Sequence, residues 1–208
     1  MKKKVVFATR NKNKILEIQK LLPDTIDVIG LEEIHCYEEL PETHDTIEAN
    51  SLEKAEYVYH KYHVDCFAED SGLEVEVLNG APGVDSAYYS GSRNPSNNIA
   101  LILNELGTTE NRKARFKTVF TFKNAYETRQ FSGIVTGDIT LTPRGSSGFG
   151  YDPIFVPTGY LTTFAEMQPL EKIVISHRTK AFNLLKEYLK KKVYTLNIMF
   201  LFYSCQKK

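Results

Sequence analysis

The sequence contains no tryptophan, and its 208 residues include only three cysteines, Cys36, Cys66 and Cys205, far apart and with no CxxC pair. An odd, sparse set excludes a disulfide framework and a cysteine-based zinc site, and it suits a reducing compartment. Net charge is also missing: Lys+Arg and Asp+Glu balance at 26 each. No global basic field therefore marks a nucleic-acid binder, and any basic site must be local. Long hydrophobic runs are absent too. The most apolar segment, "VYTLNIMFLFY" at 193–203, has 11 residues, too few to span a bilayer. It reads as a packed tail strand, a partner-facing segment, or an appended stretch with no part in the fold. The start, "MKKKVVFAT", is basic but offers only a short apolar stretch before Thr9, which is no signal peptide. The expected location is the cytoplasm, with no membrane and no nucleic-acid partner. There is no GxxxxGK[ST], HExxH or GxSxG motif anywhere, so a P-loop, a zincin site and a serine-hydrolase elbow are excluded.

What is present is an ordinary globular composition, 42% hydrophobic and 25% charged, long enough for one substantial core. Val5–Thr9 reads as a buried strand, and 13–22 as a helix with Ile15, Ile18, Leu21 and Leu22 inward and Pro23 as its stop. A strand follows at 26–31, then an acidic surface loop. Asp45 with Glu48 three residues on resembles a capping box that opens a helix to about His63, with Ile47, Leu52, Ala55 and Tyr59 inward. "CFAEDSGLEVEVL" predicts a strand end, a turn at Ser71-Gly72, and an alternating strand. Beyond a turn-rich loop, 96–106 is a helix closed by Gly107. From Ala114 the pattern turns to strands, with Phe116, Phe120 and Phe122 on one face, and Ser176 caps a last amphipathic helix. The expectation is an α/β fold of two lobes around a central cleft floored by a long mixed β-sheet. Residues 1–192 form one such domain and 193–208 an apolar tail.

Four stretches carry candidate chemistry. "TRNKNK" (9–14) joins the first strand to the first helix, where free N–H groups and the positive helix end suit an anion. Thr9, Asn11, Lys12 and Lys14 add donors; plain capping by Asn11 or Asn13 explains the same residues. "AEDSGL" (68–73) sets carboxylates Glu69 and Asp70 side by side near a core, which is costly without a proton or cation to share. Mg²⁺ suits a few carboxylates plus substrate phosphates, and an Asx-type turn is the alternative. Glu38, Glu39 and Glu42 form a second acidic cluster, which by itself reads as a solvated face but one member of which could complete a metal site. In "GSSGFGYD" (145–152), Phe149 can stack on a base while Asp152 bonds to its edge; simple turn chemistry is an equally good reading of the stretch in isolation. "KIVISHR" (172–178) puts His177 and Arg178 in a helix's first turn, where the dipole disfavours cations, so a functional reason is called for.

Taken together, "TRNKNK", "AEDSGLEVEVLNGAPGVDSA", "GSSGFGYDPIF" and "KIVISHR" resemble the signature blocks of the non-canonical purine nucleoside triphosphate pyrophosphatases, collinear from about residue 4 to 190. The resemblance implies a Mg²⁺-dependent homodimer that converts ITP, dITP or XTP to monophosphate and pyrophosphate. By the same resemblance Thr9, Arg10, Asn11, Lys12, Asn13 and Lys14 cradle the triphosphate, and Lys54 reaches the phosphates. Asp70 is the metal-binding catalytic carboxylate, with Glu42 and Glu69 as further metal-site carboxylates, and Ser71 touches substrate. Phe149, Gly150, Tyr151, Asp152, Lys172, His177 and Arg178 hold the purine and the neighbouring phosphate. Two departures stand out: Glu69 replaces an aspartate, and Tyr88 in "SAYYSG" replaces an arginine of the family's "SARYSG"-type loop. A nucleotide-binding regulatory module with impaired catalysis, or a pyrophosphatase for modified pyrimidine triphosphates, is the alternative reading.

Overall fold

The computed structural model describes residues 2–10 and 12–205, with side chains described except at 12, 13, 16, 17 and 193–205. Among the described residues six strands form one mixed sheet, in the order β2-β1-β3-β4-β5-β6. The strands are β1 Lys3–Phe7, β2 Ile26–Ile29, β3 Cys66–Val75, β4 Lys113–Lys123, β5 Thr128–Ile139 and β6 Phe155–Pro157. β1 runs parallel to both β2 and β3, and the remaining pairings are antiparallel. The helices are α1 Lys12–Leu21, α2 Ile47–Tyr62, α3 Pro95–Leu106, α4 Pro169–Ile175 and α5 His177–Cys205. The expected α/β class and mixed sheet are borne out. Because β1 connects outward through α1 to β2 while β3 lies on its other side, the strand order reverses at β1/β3. Ligands of open α/β sheets bind at such a reversal, beyond the strand ends.

The pleat divides the core. Val5, Phe7, Phe67, Phe120 and Phe122 point to α1 and α5, meeting Ile18, Phe182, Leu185 and Leu189. Val6, Ala8, Cys66 and Ala68 point the other way, onto Ala55 and Val58 of α2. A third cluster, with Leu73, Phe116, Phe155 and Phe164, packs α3 through Ile99, Ile102 and Leu106. Among the described residues no helix is long and apolar enough to cross a membrane.

Several expected details differ. β3 runs unbroken through Ser71-Gly72 in register with β4, Asp70 opposite Val119 and Gly72 opposite Lys117. Gly72 is there for close approach: a Cβ on it would lie 2.1 Å from the Gly83 carbonyl oxygen. α2 is capped by Thr46, whose hydroxyl accepts from the Ala49 N–H at 3.2 Å, not by Asp45. Glu48 is drawn instead to Lys117 on β4. The buried face of α2 includes Ser51 and Lys54, while Leu52 and Tyr59 are only half-buried, because this face meets polar groups of β3. Leu21 is 46% exposed at the end of α1. The segment expected as a tail strand continues α5 as helix to Cys205, and 206–208 lie outside the described residues.

Candidate active site

At the end of β1 a cleft of about 590 Å³ is lined by Thr9, Arg10, Lys14, Glu42, Lys54 and Glu69, among others. A second cavity of about 340 Å³ adjoins it, with Ser71, Phe149, Tyr151, Asp152, His177 and Arg178 in its wall. The first is polar and lysine-bearing, the second aromatic. The four motif blocks thus converge, although they span most of the chain.

β3 supplies the two carboxylates. Consecutive residues of a strand face opposite sides, so Asp70 and Glu69 diverge. Asp70 points to α2, where Lys54 donates to its Oδ1 at 3.0 Å and to Glu42 Oε1 at 2.5 Å. Burial pushes the Asp70 carboxyl above its ordinary value, against the pull of Lys54. Its Oδ2 is buried and, among the described residues, has no hydrogen-bond partner. Glu69 points to α5, accepting from Arg178 Nε at 2.6 Å and Lys14 Nζ at 3.4 Å. Burial alone would raise Glu69; Arg178 and Lys14 overcome it and hold the carboxyl at about 2. The cation that two adjacent carboxylates demanded is therefore the protein's own on the Glu69 side. Glu69 is not brought to Asp70 and Glu42 as a third ligand, and among the described residues no three acidic, histidine or cysteine side chains converge on a metal position. Asp70 and Glu42 do share one cation, Lys54, and Asp70 keeps an unsatisfied oxygen. Two carboxylates with the rest of the shell left to phosphate and water suit Mg²⁺.

Arg178 is fixed by Glu69 and also reaches Ser71 Oγ at 3.4 Å. Ser176 caps α5, accepting from the Thr179 N–H at 3.1 Å, which starts the helix at His177. That imidazole lies flat on Phe116, centroids 4.8 Å apart and planes 10° from parallel. Burial, with Arg178 beside it, lowers its pKa to about 3, so the ring is neutral. Its Nδ1 is buried with no partner among the described residues. In the glycine-rich loop Asp152 accepts from the Phe149 N–H at 2.7 Å and pairs with Lys172. Gly148 has φ +81° and a Cβ there would fall 2.1 Å from Asp152 Oδ2, so only glycine allows this turn. Phe149 is 66% exposed, with Lys172 4.7 Å from its ring centroid.

Thr9, Arg10 and Lys14 line the cleft as expected, although the Arg10 guanidinium also bonds the Glu38 carbonyl. Asn11 lies outside the described residues, as do the side chains of Lys12 and Asn13. Gly150 lines the aromatic cavity. Sequence reasoning gave Glu38 a different role, as a metal-site candidate, and missed Arg93. Glu38 accepts from Lys61 at 2.7 Å, Tyr62 at 2.7 Å and Tyr57 at 3.1 Å, tying the loop that carries Glu42 to α2. Arg93 lines both cavities. No local pattern distinguished either from a solvated charge.

A family model described as the Ham1 family matches residues 5–188. A dITP/XTP pyrophosphatase of Flavobacterium psychrophilum is 51% identical over 187 residues, covering 89% of this chain and 98% of the relative. A protein of the same name from Porphyromonas gingivalis is 44% identical over 188 residues, covering 89% and 97%. The solved structure of the Staphylococcus aureus Ham1 protein superposes with a TM-score of 0.88 at 38% identity, covering 91% of this chain and 100% of that one. The resemblance carried by the four motif blocks is borne out by these matches, and the chain belongs to the Ham1 family.

Proposed function

We infer that the chain hydrolyses non-canonical purine nucleoside triphosphates, dITP, ITP and XTP, to the monophosphate and pyrophosphate, clearing them from the nucleotide pool. The observation that carries this is the join of a lysine-bearing cleft, lined on β3 by Glu69, to an aromatic cavity, lined on β3 by Ser71; between those two residues Asp70 keeps a buried oxygen with no partner among the described residues. The names of the relatives support it.

Residues 9–14 and Lys14 receive the triphosphate at the start of α1, where the helix dipole adds to the lysine charge. Lys54, between Asp70 and Glu42, neutralises further phosphate charge. Asp70 orients a water in line with the pyrophosphate leaving group and takes its proton. Asp70 and Glu42 would hold Mg²⁺, which when bound would offset charge on the phosphates. Glu69 holds Arg178 in place. Arg178 donates to the 6-oxo group of hypoxanthine or xanthine, and neutral His177 offers its unpartnered nitrogen to the same ring. Adenine has a 6-amino donor there, a mismatch of about 1–3 kcal/mol. Phe149 covers the base.

The pyrophosphatase unit is 1–192, with 193–208 an apolar C-terminal tail, and the protein acts as a cytoplasmic homodimer. The resemblance supports the dimer. Cys36 and Cys66 support the compartment, being buried free thiols, with Cys66 pushed by burial to about 12. Pyrophosphate release from ITP, XTP, GTP and ATP, with and without Mg²⁺, tests the whole assignment. ATP turnover equal to that of ITP would sink the donor argument, and full activity in chelator would remove the metal.

A further inference from the structure

Among the described residues Arg93 is the one common to the linings of both cavities. Its guanidinium lies 4.5 Å from the Tyr88 ring centroid, and among the described residues it makes no ion pair or hydrogen bond. The backbone around it is held from α3. Asn98 accepts from the Ser90 N–H at 2.8 Å and donates to the Ala87 carbonyl at 3.2 Å. Asn94 caps the same helix through the N–H groups of Ser96 and Asn97. A planar five-donor cation, exposed but with the backbone around it anchored, thus lies against the Tyr88 ring in the wall of both cavities.

We propose that Arg93, stacked on Tyr88, binds the phosphate that joins the nucleoside to the rest of the triphosphate. This rests on the assignment of the lysine-bearing cleft to phosphates and the aromatic cavity to the base. A nucleotide laid across both puts its α-phosphate at their boundary, and a guanidinium meets a phosphate through paired hydrogen bonds. Tyr88, which departs from the family's arginine, then serves as the platform for an arginine five positions on, and the positive charge of the loop is kept at this place rather than lost.

The α-phosphate is present in IMP and absent from inorganic pyrophosphate, so calorimetric titration with each separates the roles without needing turnover. Arg93→Ala weakens IMP binding by about 10- to 100-fold, the range of a charge-assisted hydrogen bond, and leaves pyrophosphate binding unchanged. Arg93→Lys restores part of it, and Tyr88→Phe, which retains the ring, binds IMP as the wild type does, whereas Tyr88→Ala does not. Equal IMP affinity of wild type and Arg93→Ala, measurable or not, overturns the proposal, as does a loss that falls on pyrophosphate instead. A wild-type chain that binds IMP in this Arg93-dependent way yet releases no pyrophosphate from ITP would contradict the activity while leaving Arg93 in place.

Discussion

Two neighbouring carboxylates on β3 have opposite fates. Glu69 faces α5 and is saturated by Arg178 and Lys14, so its carboxyl is held at about 2. Asp70 faces α2, has a single cation at one oxygen, and is raised by burial. One residue step along a pleated strand separates a closed ion pair from an open acceptor. The closed one fixes a neighbour; the open one is available to a proton or a cation.

The sharpest way to break this contrast is Asp70→Asn, which removes the base but keeps the shape. Turnover of ITP should fall about 10³-fold while calorimetry shows nucleotide binding largely retained; near wild-type kcat would remove Asp70 from the chemistry. On the other face, Glu69→Gln leaves Arg178 beside a neutral amide. Breaking a buried pair costs several kcal/mol, but Arg178 and Lys14 are partly exposed, which reduces the loss to about 1–3 kcal/mol. Urea denaturation measures it, and the ITP/ATP preference should narrow as Arg178 loses its anchor. An unchanged midpoint would mean that the pair contributes nothing.

His177 extends the comparison to pH. Its folded pKa of about 3 lies below the unfolded value of 6.5, so the unfolded chain binds more protons between the two. Stability present above pH 6.5 is lost as pH falls towards 3, by roughly 1–2 kcal/mol between pH 7 and pH 5. His177→Gln should flatten that acid limb, and a parallel curve would refute the assignment. The smallest effects concern the helices that bring partners to each face. Thr46→Ala uncaps α2, which carries Lys54, and Ser176→Ala uncaps α5, which carries Arg178. Each should lower stability by about 1 kcal/mol, the first raising KM for phosphate-bearing ligands generally and the second weakening base preference.

Much of this was legible because the relevant signals are local. The Ser176 cap, the helix end at Gly107, the glycine-rich turn around Phe149 and the phenylalanine face of β4 all follow from spacing within a few residues. The turn expected at Ser71-Gly72 failed because its glycine answers to a contact with Gly83 across a loop, not to the backbone of its own segment. Thr46 displaced Asp45 because Glu48, the second half of the expected box, found Lys117 on β4. Glu69's partner Arg178 is 109 positions away, and no periodicity encodes such a pair. Only the combination of distant motif blocks pointed to the site as a whole.

Glu38 has a consequence for the substrate's journey. With Tyr57, Lys61 and Tyr62 all donating to it, the acidic loop is ordered while the chain folds. The conformational entropy of bringing Glu42 to Lys54 is therefore lost before any nucleotide arrives, and it does not weaken binding. A loosened anchor would leave every functional group in the sequence intact, yet each encounter with substrate would have to assemble the acidic wall anew.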